Sequence, residues 1–310
     1  MSTFFRQSFI SSAAFSAYRP ARHPLSSTSL CALSLALTLG AASPAHAADL
    51  MTPQASTPSL ALSPSLTSLL EQETLTGDWG GLRTRLEEDH GITTGLTQTM
   101  DILGNSSGGI RQASAYDGVF KLEVTIDLEK FIGWQGGTFY TAGYVIQGHG
   151  LSTYYIGNLL TVTSVEAPDE VRLGEIWLEQ SLFDGVLKVK AGQILVNENF
   201  VISETAGVFV NSTFGFPGSF GTDLPDGGPA YPMAVPGVQV VLQPDDAWLL
   251  QAAIFNGNPT GAGANSNGMT FPIGDGVFSI AEAAYIYTPQ GTANFSPAST
   301  RSALVQVRKI

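Results

Sequence analysis

The sequence predicts an all-β protein, an antiparallel transmembrane β-barrel with a short N-terminal helix. Three observations predict it: an export signal, strands that alternate apolar and polar residues, and connections that alternate between short and long. The clearest strand covers residues 119–128, where every second side chain from Phe120 to Leu128 is apolar and those between are charged or threonine. Because successive side chains of a strand point to opposite faces, this strand has one apolar and one polar face.

The first 47 residues have the features of a cleaved export signal. They contain three arginines and no acidic residue, then an apolar run over residues 30–39, then the small-x-small sequence Ala45-His46-Ala47. This run is too short to cross the apolar layer of a bilayer, which is roughly 30 Å thick. We therefore expect residues 1–47 to be a signal peptide. Residues 48–74, rich in Pro, Ser and Thr, are expected to form a flexible linker.

Loss of the signal would leave a strongly acidic chain. The sequence has 26 acidic and 14 basic residues, and three of the basic ones lie in the first 47 residues, so the mature net charge would be near −15. Such a charge speaks against nucleic acid as a partner. The single cysteine, Cys31, would leave as well, which excludes a disulfide or a cysteine-based metal site. We expect no enzymatic activity, since the two histidines beyond residue 47, His90 and His149, make no metal motif. A glycosidase carboxylate pair is left open, because no pair is singled out by its surroundings.

The organisation along the chain favours a membrane barrel. A helix is predicted from about Gly81 to Asp89, and about eight strands follow between Ile92 and Tyr287. Short turns on one rim and long loops on the other are typical of outer-membrane barrels. The short connections cover residues 133–137, 184–185 and 244–246, and the long ones cover residues 104–116, 148–170, 197–236 and 256–276. Aromatic residues near strand ends suit the girdles at the membrane interfaces: Trp134, Tyr144, Trp248, Tyr285 and Tyr287.

A soluble periplasmic β-sandwich that binds glycans is the alternative. It shares the export signal, the alternation and the acidic surface. It differs in predicting apolar faces that pack against each other, and extraction without detergent. The alternation of short and long connections favours the barrel, because the architecture of a sandwich does not require its short and long connections to alternate.

Five segments in this order resemble the OprB-type carbohydrate-selective porins. They are Thr-Gly-Asp-Trp-Gly-Gly-Leu-Arg at 76–83, Leu-Glu-Lys-Phe-Ile-Gly-Trp-Gln-Gly-Gly-Thr-Phe at 128–139, Leu-Glu-Gln at 178–180, Phe-Val-Asn-Ser at 209–212 and Tyr-Pro-Met-Ala-Val-Pro-Gly at 231–237. The resemblance implies a sixteen-stranded barrel in the outer membrane of a Gram-negative bacterium, of which residues 75–287 would be the N-terminal half. It also implies passive uptake of mono- or small oligosaccharides, contact with outer-membrane lipid and no cofactor. A homotrimer is a further option, because outer-membrane proteins with long loops often form trimers.

Residues 288–310 depart from the family pattern. They lack clear alternation over a long range and do not end in the aromatic residue that such barrels usually carry. We expect a divergent tail and a truncated copy of a porin. A barrel closed from eight strands would be filled by its own side chains and would not pass a sugar.

A sugar channel needs hydrogen-bond donors, acceptors and flat aromatic platforms. Trp177 is the leading candidate, because it would face the lumen if Ile176 and Leu178 face lipid. Arg172 has the parity of the lipid-facing set, which predicts a position at a rim. The predicted lumen and sugar residues are Trp177, Glu175, Glu179, Lys188, Lys190, Arg172, Lys121, Glu123 and Asp127. The bland alternative is that these charges only solvate the lumen or pair with one another.

The long segment between residues 197 and 236 is a second candidate region. A connection of this length in a compact domain is usually functional. It is predicted to fold inward as a constriction, with an extracellular cover as the alternative. The predicted constriction residues are Asn199, Phe200, Glu204, Phe209 and Asn211.

Overall fold

The computed structural model describes residues 76–203, 206–261, 265–274, 276–287 and 300–309, with side chains up to Tyr285. The predicted signal peptide and linker lie outside these residues. Within them, residues from Arg85 onward form one compact unit, and residues 76–84 belong to a second.

The described elements are almost entirely strands. They are α1 (Leu82–His90), β1 (Ile92–Asn105), β2 (Ala113–Asp127), α2 (Leu128–Ile132), β3 (Gly137–Gly148), β4 (Glu170–Leu182), β5 (Leu187–Ile194), β6 (Val235–Leu242), β7 (Trp248–Asn256), β8 (Val277–Tyr287) and β9 (Thr300–Lys309). A π-helical turn at Ser152–Ile156 and several 3-10 turns after β5 lie in the long connections. No helix in this part of the chain is both long and apolar enough to cross a membrane.

The helix predicted from about Gly81 to Asp89 is confirmed as α1. Its side chains are not buried, as expected of a surface helix. Gly91 adopts a positive φ of 66° directly after the helix, a conformation that glycine adopts without strain and that ends the helix. Helix α2 was not predicted. Asp127 caps it by accepting hydrogen bonds from Glu129 N and Lys130 N, and Gly133 ends it in the left-handed region.

The nine strands form one antiparallel sheet in which every strand pairs with the next along the chain. The connections between β2 and β3, β4 and β5, and β6 and β7 are short, and those between them are long. This meander with sorted connections is the topology of an up-and-down barrel wall. The all-β antiparallel prediction is confirmed for the described residues.

A ninth strand follows the eight that were predicted. Residues 300–309 were expected to belong to a divergent tail, but they pair with β8 from Phe278↔Lys309 to Tyr287↔Thr300. The physical reason is that an edge strand offers a row of unpaired N–H and C=O groups to any extended segment. Backbone pairing of this kind does not require a strong side-chain alternation.

One face of the sheet carries large apolar side chains that remain exposed, and we call it the outer face. Val171 is 71% exposed and Ile254 is 60% exposed. Other members of these rows are Leu96, Ile102, Leu122, Leu178, Val238, Val240 and Leu250. A sandwich would pack such rows against a second sheet, whereas the described residues form only one sheet. Continuous exposed apolar surface of this extent suits acyl chains rather than water.

The opposite face, which we call the inner face, is covered by the long connections. Phe200, in the segment that follows β5, packs there with Phe255 and Phe278. The remaining buried members of this cluster are Ile194, Val196, Leu224, Val235, Ala253 and Ile280. The inner face is therefore apolar and packed at β6–β8, where simple alternation would predict a polar surface.

A β-bulge in β4 changes which side chains face inward. Ala142 pairs with Glu175, but Gly143 pairs with Leu173, so Gly174 is an extra residue on its strand. A Cβ at Gly174 would collide with the Tyr144 ring, which requires glycine there. The bulge reverses the parity before it, so Arg172, two residues from the start of β4, lies on the inner face and not with the lipid-facing set to which the sequence parity assigned it.

Of the aromatic residues predicted for the girdles, Trp248 and Tyr285 lie on the outer face, as a girdle requires, whereas Tyr144 does not. Trp248 and Tyr285 are cross-strand partners on the outer face with ring centroids 5.0 Å apart, and both are exposed. Tyr144 pairs with Lys121 and Arg172 on the inner face and is buried against Tyr231. The register, and not proximity to a strand end, decides the face of an aromatic residue.

Candidate functional site

Two aromatic rings form the centre of the polar part of the inner face. Tyr140 on β3 and Trp177 on β4 are cross-strand partners. Their ring centroids lie 4.8 Å apart and their planes differ by 21°. A stacked pair of this kind contributes about 0.5–1.5 kcal/mol beyond its buried area. The prediction that Trp177 points to the same face as Lys190 is confirmed by the geometry.

Two lysines flank the rings. Lys190 Nζ on β5 lies 4.3 Å from the centroid of the Trp177 ring, and Lys121 Nζ on β2 lies 5.8 Å from that of Tyr140. Ammonium groups at these distances are attracted by the ring faces. Lys121, Tyr140, Trp177 and Lys190 thus form a row across four adjacent strands, which we call the aromatic row.

Two glutamates balance the charge of the aromatic row. Glu123 lies 2.8 Å from Lys121 and accepts a hydrogen bond of 2.7 Å from the Tyr140 hydroxyl. Glu179 lies 3.7 Å from Lys190, its cross-strand partner. Each ring is therefore accompanied by a donor and an acceptor. The site as a whole is neutral and can hydrogen bond to an uncharged polar molecule.

Lys188 and Glu175 lie on the inner face as predicted, but their surroundings differ. Lys188 pairs with Ser181 and is partly exposed. Glu175 is buried, and its Oε1 accepts a hydrogen bond of 3.0 Å from Leu195 N. Glu175 therefore holds the segment after β5 and does not face an open lumen.

Arg172 and Asp127 do not line a channel. The Arg172 side chain is fully buried and forms an ion pair with Glu170 through Nη1. Its Nε and Nη2 have no hydrogen-bond partner among the described residues. Asp127 has the inner-face parity, but its carboxylate caps α2. The sequence prediction is corrected for both residues, because neither the bulge nor the cap is visible in the alternation.

Of the predicted constriction residues that the structure describes, Asn199 and Phe200 reach the inner wall. Asn199 Oδ1 accepts a hydrogen bond of 2.9 Å from Lys190 Nζ, and Phe200 is buried. Phe209 is exposed and stacks on Phe214 with centroids 4.3 Å apart. Asn211 caps the turn that begins at Ser212. Glu204 lies outside the described residues.

Three inner-face residues were missed by the sequence reasoning. Gln239, Gln251 and Glu282 are buried on three adjacent strands, β6, β7 and β8, among apolar neighbours. The available signal was a polar residue on the opposite parity to each apolar row, at matching positions of successive strands. In the part of the chain that the structure covers, no three acidic, histidine or cysteine side chains are grouped as metal ligands.

An exposed apolar outer face, a polar and aromatic inner face and sorted loops define a β-barrel protein of the outer-membrane type. The family model described as carbohydrate-selective porin, OprB family, matches residues 111–300. The chain belongs to this family.

Individual relatives agree with this assignment. The chain is 32% identical over 170 residues to Porin B of Pseudomonas aeruginosa, across 52% of this chain and 34% of the relative. It also matches the solved high-pH structure of OprB from Pseudomonas putida, with a TM-score of 0.63 and 26% identity, across 71% of this chain and 54% of that one. The chain thus spans about a third of the first relative and about half of the second. Porins are channels and not enzymes.

Proposed function

We propose that this chain forms part of the wall of an outer-membrane pore through which mono- or small oligosaccharides diffuse passively into the periplasm. The aromatic row carries the proposal. It places two stacked rings and two ammonium groups on the inner face, accompanied by the carboxylates of Glu123 and Glu179 and backed by an outer face suited to lipid. Family membership and the relatives named as porins support it.

The chemistry of the aromatic row suits a neutral sugar. Sugar hydroxyls both donate and accept hydrogen bonds, so Lys121 and Lys190 meet their oxygens while Glu123 and Glu179 meet their hydrogens. The flat face of the Trp177 ring is the platform for the sugar C–H groups. Tyr140 covers one face of Trp177 and Lys190 lies over the ring, so a sugar that stacks on Trp177 displaces the ammonium group.

The remaining predicted residues take different parts in this proposal. Asn199 narrows the lumen beside Lys190. Phe200, the next residue, anchors Asn199 by packing into the apolar part of the inner face. Lys188 adds a donor further along β5. Glu175, Arg172 and Asp127 support the wall without touching the sugar. Phe209 and Asn211 belong to an extracellular cover, and a role for Glu204 stays a prediction.

Export and assembly are also proposals. Cleavage after Ala47 is tested by sequencing the N-terminus of the protein recovered from outer membranes. A homotrimer and specific contacts with outer-membrane lipid are tested by the mass of the detergent-extracted protein.

The function is tested by sugar block of ion current. The protein is reconstituted in planar bilayers, and single-channel current is recorded while mono- and disaccharides are added. We expect a concentration-dependent partial block. In Trp177→Ala the sugar concentration needed for half-maximal block should rise about tenfold. The lost aromatic contact contributes about 0.5–1.5 kcal/mol, and the loss of buried apolar area adds to it.

Trp248→Ala is the matched control, because Trp248 is the same residue type on the outer face. Its sugar block should equal that of the unmodified protein. A current indifferent to sugar, with Trp177→Ala also silent, would leave a general porin without carbohydrate preference.

A further inference from the structure

A short turn directly after β5 lies against the inner wall. We call Leu195–Val201 the inner turn. Leu195, Val196 and Phe200 are fully buried. Phe200 packs edge-on against Phe255 of β7 with ring centroids 6.4 Å apart. The inner turn is therefore part of the packed inner face and not a free loop.

Wall side chains from three strands hold the backbone of the inner turn. Glu175 Oε1 on β4 accepts a hydrogen bond of 3.0 Å from Leu195 N. Gln251 Nε2 on β7 donates one of 2.9 Å to Asn199 O. Glu282 Oε2 on β8 accepts one of 2.9 Å from Val201 N. The turn is bound at its start, near its end and at its last residue.

The two contacts from β7 and β8 belong to one buried network. Gln251 Nε2 also donates to Glu282 Oε2 at 2.9 Å, and Gln239 Nε2 on β6 donates to Gln251 Oε1 at 3.0 Å. All three side chains are buried beside the phenylalanine cluster. Polar groups in such surroundings are costly unless satisfied, so apolar residues would serve packing alone better. The hydrogen bonds from Gln251 and Glu282 to the backbone of the inner turn give a reason for polar residues at these buried positions.

Val201 provides a second, independent observation. Its φ is 58°, in the left-handed region that a β-branched residue rarely adopts. Such strained backbone persists where the surroundings over-determine it, and it concentrates at functional segments. Glu282 Oε2 accepts its hydrogen bond from the N–H of this strained residue. The wall therefore fixes the turn at the point where it would otherwise relax.

The inner turn connects this network to the aromatic row. Asn199 Nδ2 donates to Leu195 O at 2.7 Å, which orients its Oδ1 toward Lys190 Nζ. Lys190 in turn lies over the Trp177 ring. The chain of contacts runs from Glu282 and Gln251 through Asn199 to Lys190 and Trp177.

We propose that Gln251 and Glu282 are positioning residues: they pin the inner turn to the wall, and through Asn199 they set the lumen width and hold Lys190 at the aromatic row. Neither side chain touches a sugar. The consequence for sugar passage rests on the proposed function, whereas the pinning of the turn is a property of the fold.

The pinning is tested with a spin label at Glu198, an exposed residue of the inner turn. The label is attached to Glu198→Cys in a Cys31→Ser background, and its mobility is measured by electron paramagnetic resonance. In Glu282→Ala and in Gln251→Ala we expect the mobile population to rise about tenfold, as loss of a buried hydrogen bond to a charged or backbone group predicts. Glu282→Gln keeps an acceptor oxygen and should remain restrained.

Gln243→Ala is the matched control, because it removes the same side chain from the short connection between β6 and β7. Its label should stay restrained. Heat-modifiable migration on gels shows whether each barrel is folded, and Gln251→Ala carries the test if Glu282→Ala does not fold. A restrained label in folded Gln251→Ala overturns the proposal.

Sugar block recorded on the same proteins separates the two proposals. If the label becomes mobile in Gln251→Ala and sugar block weakens about tenfold while the barrel stays folded, both stand. If the label becomes mobile but the unmodified protein shows no sugar block, the pinning stands and the carbohydrate function fails. If sugar blocks the unmodified protein and the label never becomes mobile, the carbohydrate function stands and the positioning role fails.

Discussion

The two halves of the inner face differ in kind, although the outer face is alike along both. Around the aromatic row, on β2–β5, the inner face is polar and partly exposed, although Tyr144, Arg172 and Glu175 on the same strands are buried. At β6–β8 it is buried under the inner turn and consists of phenylalanines around a small polar network. The comparison teaches that one part of the wall leaves polar side chains accessible around the aromatic row, while the other part is occupied in holding the inner turn.

The difference follows from where the long connections lie. Phe200, Leu224 and Val196 come from the segment after β5 and cover the inner side chains of β7 and β8. That apolar surface is removed from water, and each buried CH₂ group contributes about 0.8 kcal/mol. The aromatic row is covered only in part: Trp177 packs against this cluster, whereas Lys121 and Lys190 form ion pairs with Glu123 and Glu179.

The largest expected effect on stability comes from a substitution in the packed part of the inner face. Phe278→Ala should lower the free energy of unfolding by about 3–5 kcal/mol, because it leaves a cavity among Phe200, Phe255 and Ile280. Urea unfolding in detergent measures it. Phe271→Ala is the control, since Phe271 is an exposed loop residue, and its effect should be small. Equal effects of the two substitutions would contradict a packed inner face.

The next effect tests the assignment of the outer face. Ile254→Arg should destabilise the barrel in lipid by about 2–4 kcal/mol if Ile254 lies near the bilayer midplane. Ile273→Arg makes the same change at an exposed residue of the β7–β8 connection and should cost little. Unfolding in lipid vesicles compares the two. A tolerated arginine at Ile254 would mean that this row does not meet acyl chains.

The bulge of β4 gives a third, intermediate effect. Gly174→Ala should cost about 1–3 kcal/mol, because its Cβ would strike the Tyr144 ring and force the bulge or the ring to move. The measurement is again the free energy of unfolding. Gly207→Ala provides the comparison, as nothing lies within 4 Å of a Cβ there. If Gly174→Ala proved neutral, the inward position of Arg172 would lose its basis.

The smallest expected effect comes from a substitution in the aromatic row. Tyr140→Phe removes the hydrogen bond to Glu123 and keeps the stack on Trp177. We expect a loss of stability of about 0.5–1.5 kcal/mol and a modest weakening of sugar block. Tyr154→Phe, at an exposed tyrosine of the β3–β4 connection, should change neither. A larger loss would indicate that the hydroxyl also orders Lys121 through Glu123.

Much of the site was predictable because its signals are local. The alternation around Trp177 and the spacing of Lys188 and Lys190 placed these side chains on one face, and the register agrees. Arg172 was assigned to the wrong face because a single bulged residue reverses the parity of the side chains before it. The alternation of apolar and polar residues in the sequence does not reveal such a bulge. Tyr144 was misplaced because an aromatic near a strand end suits either face. The bond between Val201 and Glu282 joins residues 81 positions apart, beyond the reach of any local pattern.

The amino-acid sequence by itself determined the class of fold, the two-sided strands, the sorted loops and the helix before β1. These follow from side-chain alternation and turn residues, which act over a few neighbours. Only the tertiary structure decided that the inner face is partly exposed around the aromatic row and packed at β6–β8, that Glu175 and Glu282 hold a turn, and that β9 joins the sheet. Those outcomes depend on which distant groups compete for the same buried hydrogen bonds and apolar contacts, and the folded chain alone settles that competition.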